Sequence, residues 1–251
     1  MTRQIRLPDD AAVQDVRTPD VDRISDVLDF LVDAREIGAV LGGAGLGKTF
    51  ATDLAARSTG IDVVTLDMPT RPAPKEVTVR MLKAVRGFVD TAETQYELTE
   101  QIVEELADGP RVIVIDEAQN LTSEGLNQIR YLHDRPDADW ALVLVGGQDA
   151  ARTLHSQKQL ESRVARWVEV APLKGDMLIS SLRSYHELFQ FASTDLLFSI
   201  DKAFAHGTWR EWARFLQAAL RLRQRSGYEV LDTRFARAVI HEVNKRQQVS
   251  R

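Results

Sequence analysis

The chain alternates short apolar runs with longer stretches whose apolar positions recur every three or four residues. Ile37-Gly38-Ala39-Val40-Leu41 and Val112-Ile113-Val114-Ile115 are unbroken apolar runs. Runs of that length fit strands covered on both faces of a parallel sheet. Further strands are predicted over 61–66 and 140–145, and a short one over 167–170. Val21, Ile24, Val27, Leu28 and Leu31 keep helical spacing and predict a helix over 21–34. The same spacing predicts helices over 48–59, 76–88, 94–107, 123–133 and 149–154. Residues 68–74 carry three prolines and form a loop, and 156–162 is a polar connecting stretch. Beyond Pro172 the pattern is helical throughout, over 176–191, 195–205, 208–225 and 232–245. Alternating β and α segments predict a doubly wound parallel sheet followed by a small all-helical domain. The expected organisation is a polar, proline-punctuated arm over 1–20, an α/β domain over 21–172 and a helical domain over 173–251.

Two of the predicted strands end in residues that carry chemistry. The first is followed by Gly42-Gly43-Ala44-Gly45-Leu46-Gly47-Lys48-Thr49, which fits G-x-x-x-x-G-K-[ST] at every fixed position. Glycines let the backbone curl until successive N–H groups converge on a phosphate chain, and the helix that follows adds its positive dipole end. In such a loop Lys48 reaches the β- and γ-phosphates of ATP, and the Thr49 hydroxyl binds Mg²⁺. The run 112–115 ends in Asp116-Glu117. Ligands of open α/β sheets lie beyond the carboxyl ends of strands, so both acids should face the loop. Asp116 is then placed to hold the Mg²⁺ shell and Glu117 to polarise an attacking water, the few groups that phosphoryl transfer to water requires. Loop and acids together predict a nucleoside triphosphatase with a P-loop fold.

Composition narrows the setting. Of the 251 residues 44% are hydrophobic, enough for a sizeable core. No apolar run reaches the length that spans a bilayer, and no apolar segment follows the charges at Met1-Thr2-Arg3, so neither membrane nor secretory signal is expected. With zero cysteines, disulfides and thiolate metal sites are excluded, which fits a cytoplasmic protein. The histidines at 133, 155, 186, 206 and 241 lack ligand spacing. The net charge of −5 divides unevenly: residues 202–251 carry +7 and residues 1–201 carry −12. That asymmetry points to a polyanion or to the acidic face of a neighbouring subunit.

With these motifs in order, the chain resembles the AAA+ ATPases over roughly residues 20–245. More specifically it looks like the group containing the target-selecting ATPase of bacteriophage Mu and its TniB/TnsC-type transposon relatives. The phosphate loop carries the resemblance first, and then Val114-Ile115-Asp116-Glu117-Ala118-Gln119-Asn120. Gln159-Leu160-Glu161-Ser162-Arg163 is similar to the segment that ends in an arginine finger, and Gly207-Thr208-Trp209-Arg210 to the start of a lid helix with its sensor arginine. The resemblance implies that Arg163, with Arg166 as rival, acts on the γ-phosphate bound by a neighbouring copy, hence a ring or helical filament. A surface arginine paired with Glu161 or Glu169 is the plainer alternative. Arg210 is implied to touch the nucleotide of its own subunit. One element departs from the group: Gly147 stands where relatives place a polar sensor. Either Gln148 substitutes by a one-residue shift or the sensor is missing, which predicts slow hydrolysis with binding intact.

Relatives of this kind hold double-stranded DNA through basic residues near loops of the ATPase domain. The counterpart here is the loop 70–75 with Arg71 and Lys75, followed by Arg80, Lys83 and Arg86. Lysine and arginine on phosphates give sequence-independent, salt-sensitive affinity. On the helix from 208, Arg210, Arg214, Arg221 and Arg225 fall within about 60° of one another, opposite Trp209, Trp212, Phe215, Leu216, Ala219 and Leu220. A solvated face and a phosphate contact both fit that stripe. The expected function is an ATP-dependent DNA-binding regulator that oligomerises on DNA and selects targets for, or activates, a transposase. A replication helicase-loader-like ATPase and a nucleotide-gated protein-interaction switch without DNA are the alternatives.

Overall fold

The computed structural model describes residues 16–136, 138–228 and 230–249, the last helix with side chains as far as Lys245. The expected arm over 1–20 lies outside the described residues as far as residue 15; Pro19 and Asp20 already belong to the first helix. Contacts divide the chain into two compact units, one of Pro19–Gly43 with Lys48–Val170, the other containing Ala44–Gly47 and Ala171 onward.

The first unit is built on five strands: β1 (Ile37–Gly42), β2 (Asp62–Asp67), β3 (Arg111–Asp116), β4 (Trp140–Gly146) and β5 (Val164–Val170). All pairings are parallel and the order across the sheet is β2-β3-β4-β1-β5. Every residue of β1 and β4 is buried, whereas the edge strands β2 and β5 alternate buried and exposed positions. Helices on both faces explain the unbroken apolar runs of the inner strands. On one face Ile113, Ile115, Leu142 and Leu144 pack against α3 (Pro74–Arg86), α4 (Gln95–Leu106) and α5 (Ser123–His133). On the other, α1 (Pro19–Ala34) comes so close that a Cβ at Gly38 would stand 2.4 Å from Leu31 Cδ1. The helix α2 (Lys48–Ser58) lies beside α1.

Register matters for function. Leu41 of β1 pairs with Gly146 of β4, Ile115 of β3 with Leu144 of β4, and Gly42 with Val170. The carboxyl ends of β1, β3, β4 and β5 therefore share one edge of the sheet, where a crossover topology gathers ligand-binding loops.

The helix expected over 149–154 is α6 (Gln148–Ser156), but the polar stretch after it holds the single turn α7 (Lys158–Glu161), and β5 starts at Val164 rather than at residue 167.

The second unit is helical: α8 (Gly175–Tyr185), α9 (Glu187–Gln190), α10 (Thr194–Ile200), α11 (Trp209–Ser226) and α12 (Thr233–Val249). Phe189, Trp212, Phe215 and Phe235 are fully buried at its centre, with edge-to-face contact of Phe189 on Trp212 at 5.4 Å. The predicted single helix over 176–191 is two, because His186 leaves helical geometry (φ −160°, ψ 145°) and its Nδ1 accepts from Leu188 N at 3.0 Å. A side-chain acceptor that caps a new helix competes with continuing the old one. The helix predicted to 205 changes to π geometry over Asp201–Ala205. There Asp201 Oδ1 accepts from Gly207 N at 2.7 Å and Trp212 Nε1 at 3.0 Å.

Candidate nucleotide-binding site

The site is assembled at the carboxyl edge of the sheet. β1 delivers Gly42 and Gly43, and α2 begins at Lys48. Lys48 Nζ donates to Gly43 O at 2.8 Å. Thr49, the second residue of α2, donates from Oγ1 to Asp116 Oδ2 at 2.7 Å. Asp116 ends β3, is 7% exposed, and its other oxygen accepts from Glu117 N at 2.7 Å. A hydroxyl and a carboxylate side by side are hard oxygen donors of the kind Mg²⁺ takes, a cation that keeps most of its shell as water and phosphate. Thr49 and Asp116 therefore fit that ion.

Glu117 leaves the strand in the left-handed region (φ 55°, ψ 42°), which non-glycine residues occupy at a cost of about 1–3 kcal/mol. The surroundings hold it there: besides the bond from its own N to Asp116, its carbonyl accepts from Asn120 N at 2.8 Å. Strain that neighbours over-determine is typical of functional turns. The carboxylate accepts from Gln119 Nε2, and Gln119 Oε1 accepts from Gly147 N at 3.2 Å. Gln119 was visible in the sequence only as one letter of the motif, with no chemistry assigned to it.

Within the helical unit the loop tip Ala44–Gly47 meets the start of α11. Gly45 O accepts from Arg210 N at 3.0 Å. Gly45 (φ 78°) and Gly47 (φ 86°) have left-handed backbones, and a Cβ on either would stand 2.8 Å from Arg210 Cβ or 2.9 Å from Trp209 Cδ1. Both conformation and clearance thus require glycine at these two positions. Arg210 itself is exposed. On the rest of α11 the expected apolar side is buried, with Trp212, Phe215, Leu216, Ala219 and Leu220 all inside, while Arg214 pairs with Glu211 at 2.5 Å.

The two finger candidates lie at the amino end of β5. Arg163, half-exposed, sits 3.4 Å from Asp134 Oδ2, so the acid beside it is neither of those weighed from the sequence. Glu161 instead pairs with His155, and the carbonyl of Glu169 accepts from Arg23. Arg166 lies over the ring of Phe30 at 3.9 Å, within reach of a cation–π contact. Gln148 is exposed at the first position of α6; the amide that reaches the end of β4 belongs to Gln119.

The basic loop is pinned to the turn behind the acids. Asn120 Nδ2 donates to Met68 O at 2.8 Å, Arg71 N to Asn120 O at 3.0 Å, and Thr122 Oγ1 to Pro72 O at 3.3 Å. Arg71 is exposed with φ 53°, and Lys83 is exposed on α3. Lys75 Nζ donates to Thr91 O at 3.0 Å, Arg80 pairs with Glu76 at 3.4 Å, and Arg86 with Glu105 at 3.5 Å.

A parallel sheet in this order, a glycine-rich loop ahead of a helix, and a threonine bonded to a strand-end aspartate define the P-loop AAA+ fold, with a helical region after it. Residues 32–154 match the family described as "AAA domain". Among solved structures, the fold is similar to the ORC2 protein of Aeropyrum pernix, at TM-score 0.72 and 14% identity over 94% of this chain and 70% of that one. It is similar also to Cdc6p of Pyrobaculum aerophilum, at TM-score 0.73 and 18% identity over 93% and 69%. A third likeness is to the RuvB Holliday junction branch migration motor of Thermotoga maritima, at TM-score 0.62 and 16% identity over 90% and 69%. No curated protein matches the sequence. Among the described residues, no helix is long and apolar enough to cross a membrane.

Proposed function

We propose that this chain is an ATP-dependent, DNA-binding AAA+ regulator that assembles on double-stranded DNA and selects targets for, or activates, a transposase. The observation that carries the nucleotide part is the 2.7 Å bond between Thr49 and the buried Asp116 at the mouth of the glycine-rich loop. In this reading the backbone from Gly42 to Gly47 and the Lys48 ammonium hold the phosphates of ATP. Thr49 and Asp116 hold Mg²⁺, which supplies charge neutralisation on the transferred phosphoryl group. Glu117 orients the attacking water, Arg210 reaches the nucleotide from its own helical domain (173–251), and Arg163 or Arg166 serves the site of an adjacent copy. Support comes also from the ORC2 structure described as holding ADPNP and ADP.

The DNA part rests on Arg71, Lys75, Arg80 and Lys83. Lys75 and Arg80 already have partners, so the exposed Arg71 and Lys83 are the stronger phosphate contacts. An Aeropyrum pernix ORC1 structure holds DNA and shares the fold at TM-score 0.66. A second reading, a replication initiator or helicase-loader-like ATPase, is supported by the likeness to ORC2 and Cdc6p.

Calorimetry with ATP and Mg²⁺ tests the first step: wild type takes up nucleotide and Lys48→Ala does not. Filter binding of a random duplex at several salt concentrations, with ATP and without, tests the second. ATP-dependent retention with a log–log salt slope of about −0.9 per contacted phosphate supports the DNA reading; no retention leaves a protein-interaction switch. Strand-transfer assays with a transposase, set against helicase-loading assays, separate the two DNA roles.

A further inference from the structure

We infer that Gln119 is a positioning residue that fixes the carboxylate of Glu117 against the end of β4, replacing the polar side chain missing at Gly147. The inference rests on the ATPase reading above and names a residue to which that reading gives no task. A backbone N–H can only donate, so the amide oxygen of Gln119 must face Gly147 N, where it lies at 3.2 Å. This leaves the amide NH₂ pointing the other way, onto Glu117, a carboxylate that can only accept. The orientation of the amide is thus forced by its neighbours.

The surroundings hold both ends of this bridge. Ala118, just before Gln119, is fully buried, and Asn120, just after it, is tied by its side chain to Met68 O at 2.8 Å. The backbone of Glu117 is set by Asp116, so the torsions of its side chain are what Gln119 adds control over. Space is reserved as well: a Cβ at Gly146 would stand 2.7 Å from Gln119 Oε1 and 2.4 Å from Ala150 Cβ. Any larger residue at 146 would displace the amide. A water-orienting carboxylate free to rotate loses the preorganisation that makes it effective.

The test separates turnover from binding. Gln119→Ala should lower kcat about 10-fold, the order expected for losing one hydrogen bond to a charged group, with the Kd for ATP close to wild type and the melting temperature lower by no more than about 2–6 °C. Gln119→Asn keeps the amide but is one methylene too short to span both partners, and should fall equally. Gln119→Glu sets a second carboxylate beside Glu117 and should fall further. In a Glu117→Gln background, Gln119→Ala should change nothing more, because the group it positions is gone. Independently of turnover, the Gly147 backbone amide should shift in nitrogen–proton spectra and exchange faster in Gln119→Ala. Wild-type turnover in Gln119→Ala, an equal loss in the Glu117→Gln background, or an unmoved Gly147 amide overturns the inference alone. If Glu117→Gln itself leaves turnover unchanged, the ATPase assignment of Glu117 falls first and the inference with it.

Discussion

Replacing Thr49 by valine removes one hydroxyl and keeps the shape of the side chain. The hydroxyl donates to Asp116 Oδ2 at 2.7 Å, and Asp116 is 7% exposed, so the substitution leaves a buried carboxylate oxygen short of a partner. Hydrogen bonds to charged groups contribute about 1.5–3 kcal/mol. Thr49 is exposed, however, so water reaches the vacated side, and a value at or just under the floor of that range, about 1–1.5 kcal/mol, applies here. For a chain of this size each kcal/mol moves Tm by about 2–4 °C, which gives a drop of about 2–6 °C for the nucleotide-free protein in EDTA. Thr49→Ser keeps the donor and should melt near wild type. Adding ATP and Mg²⁺ at 100 times Kd stabilises wild type by about 2.7 kcal/mol, and the valine variant should forfeit the Mg²⁺-dependent part. Circular dichroism melts under these conditions decide the matter. If Thr49→Val melts within about 1 °C of wild type in EDTA, the Thr49–Asp116 bond is not made in solution. If it keeps the full response to Mg²⁺, Thr49 is not a ligand.

Three further outcomes follow from the same geometry. Gly45→Ala combines a left-handed backbone with a Cβ 2.8 Å from Arg210 Cβ, whereas Gly87→Ala has the same backbone sign and nothing within 4 Å. Urea titration should show a loss of about 1–2 kcal/mol at Gly87 and about 1–3 kcal/mol more at Gly45; equal losses would contradict the contact with Arg210. Asp201→Ala strips the acceptor from Trp212 Nε1 and Gly207 N, both buried residues, and should cost about 2–4 kcal/mol; a loss below about 1 kcal/mol would mean the bonds are not formed. Burial pushes the His133 imidazole below its ordinary value of 6.5, against the pull of Asp134 and Glu36, so the folded state binds fewer protons than the unfolded one as pH falls. Stability should therefore decline as pH drops through 6.5 and level off below the folded value, and His133→Phe should lose that component of a Tm-versus-pH series. An identical series in the variant removes His133 from the account.

How much of this was legible beforehand depends on whether the signal is local. The inner strands announced themselves because burial on both faces makes them apolar without a break, as β1 and β4 are. The edge strand β5 did not: Arg166 and Glu169 interrupt its apolar residues, so only its second half was recognisable. His186 ends a helix through a bond from its own ring, a behaviour that residue identity alone does not foretell. The loop 42–49 was readable from spacing, because left-handed backbone and tight clearance dictate glycine at Gly45 and Gly47. The arginines were not readable to the same depth. A guanidinium finds whichever acid or ring the fold brings near, and here those are Asp134 for Arg163 and Phe30 for Arg166, distant in sequence from both. The missing sensor shows the same limit from the other side. Sequence order pointed to Gln148 as the neighbour of Gly147, but α6 begins at Gln148 and leaves that side chain exposed, while the parallel register of β3 and β4 sets the turn after Asp116 beside Gly147. An amide 28 residues away in sequence, and not the adjacent one, accepts from Gly147 N. The partner of Gly147 N is therefore set by sheet order and not by sequence adjacency, and the proposed control of the Glu117 carboxylate depends on the register of β3 and β4.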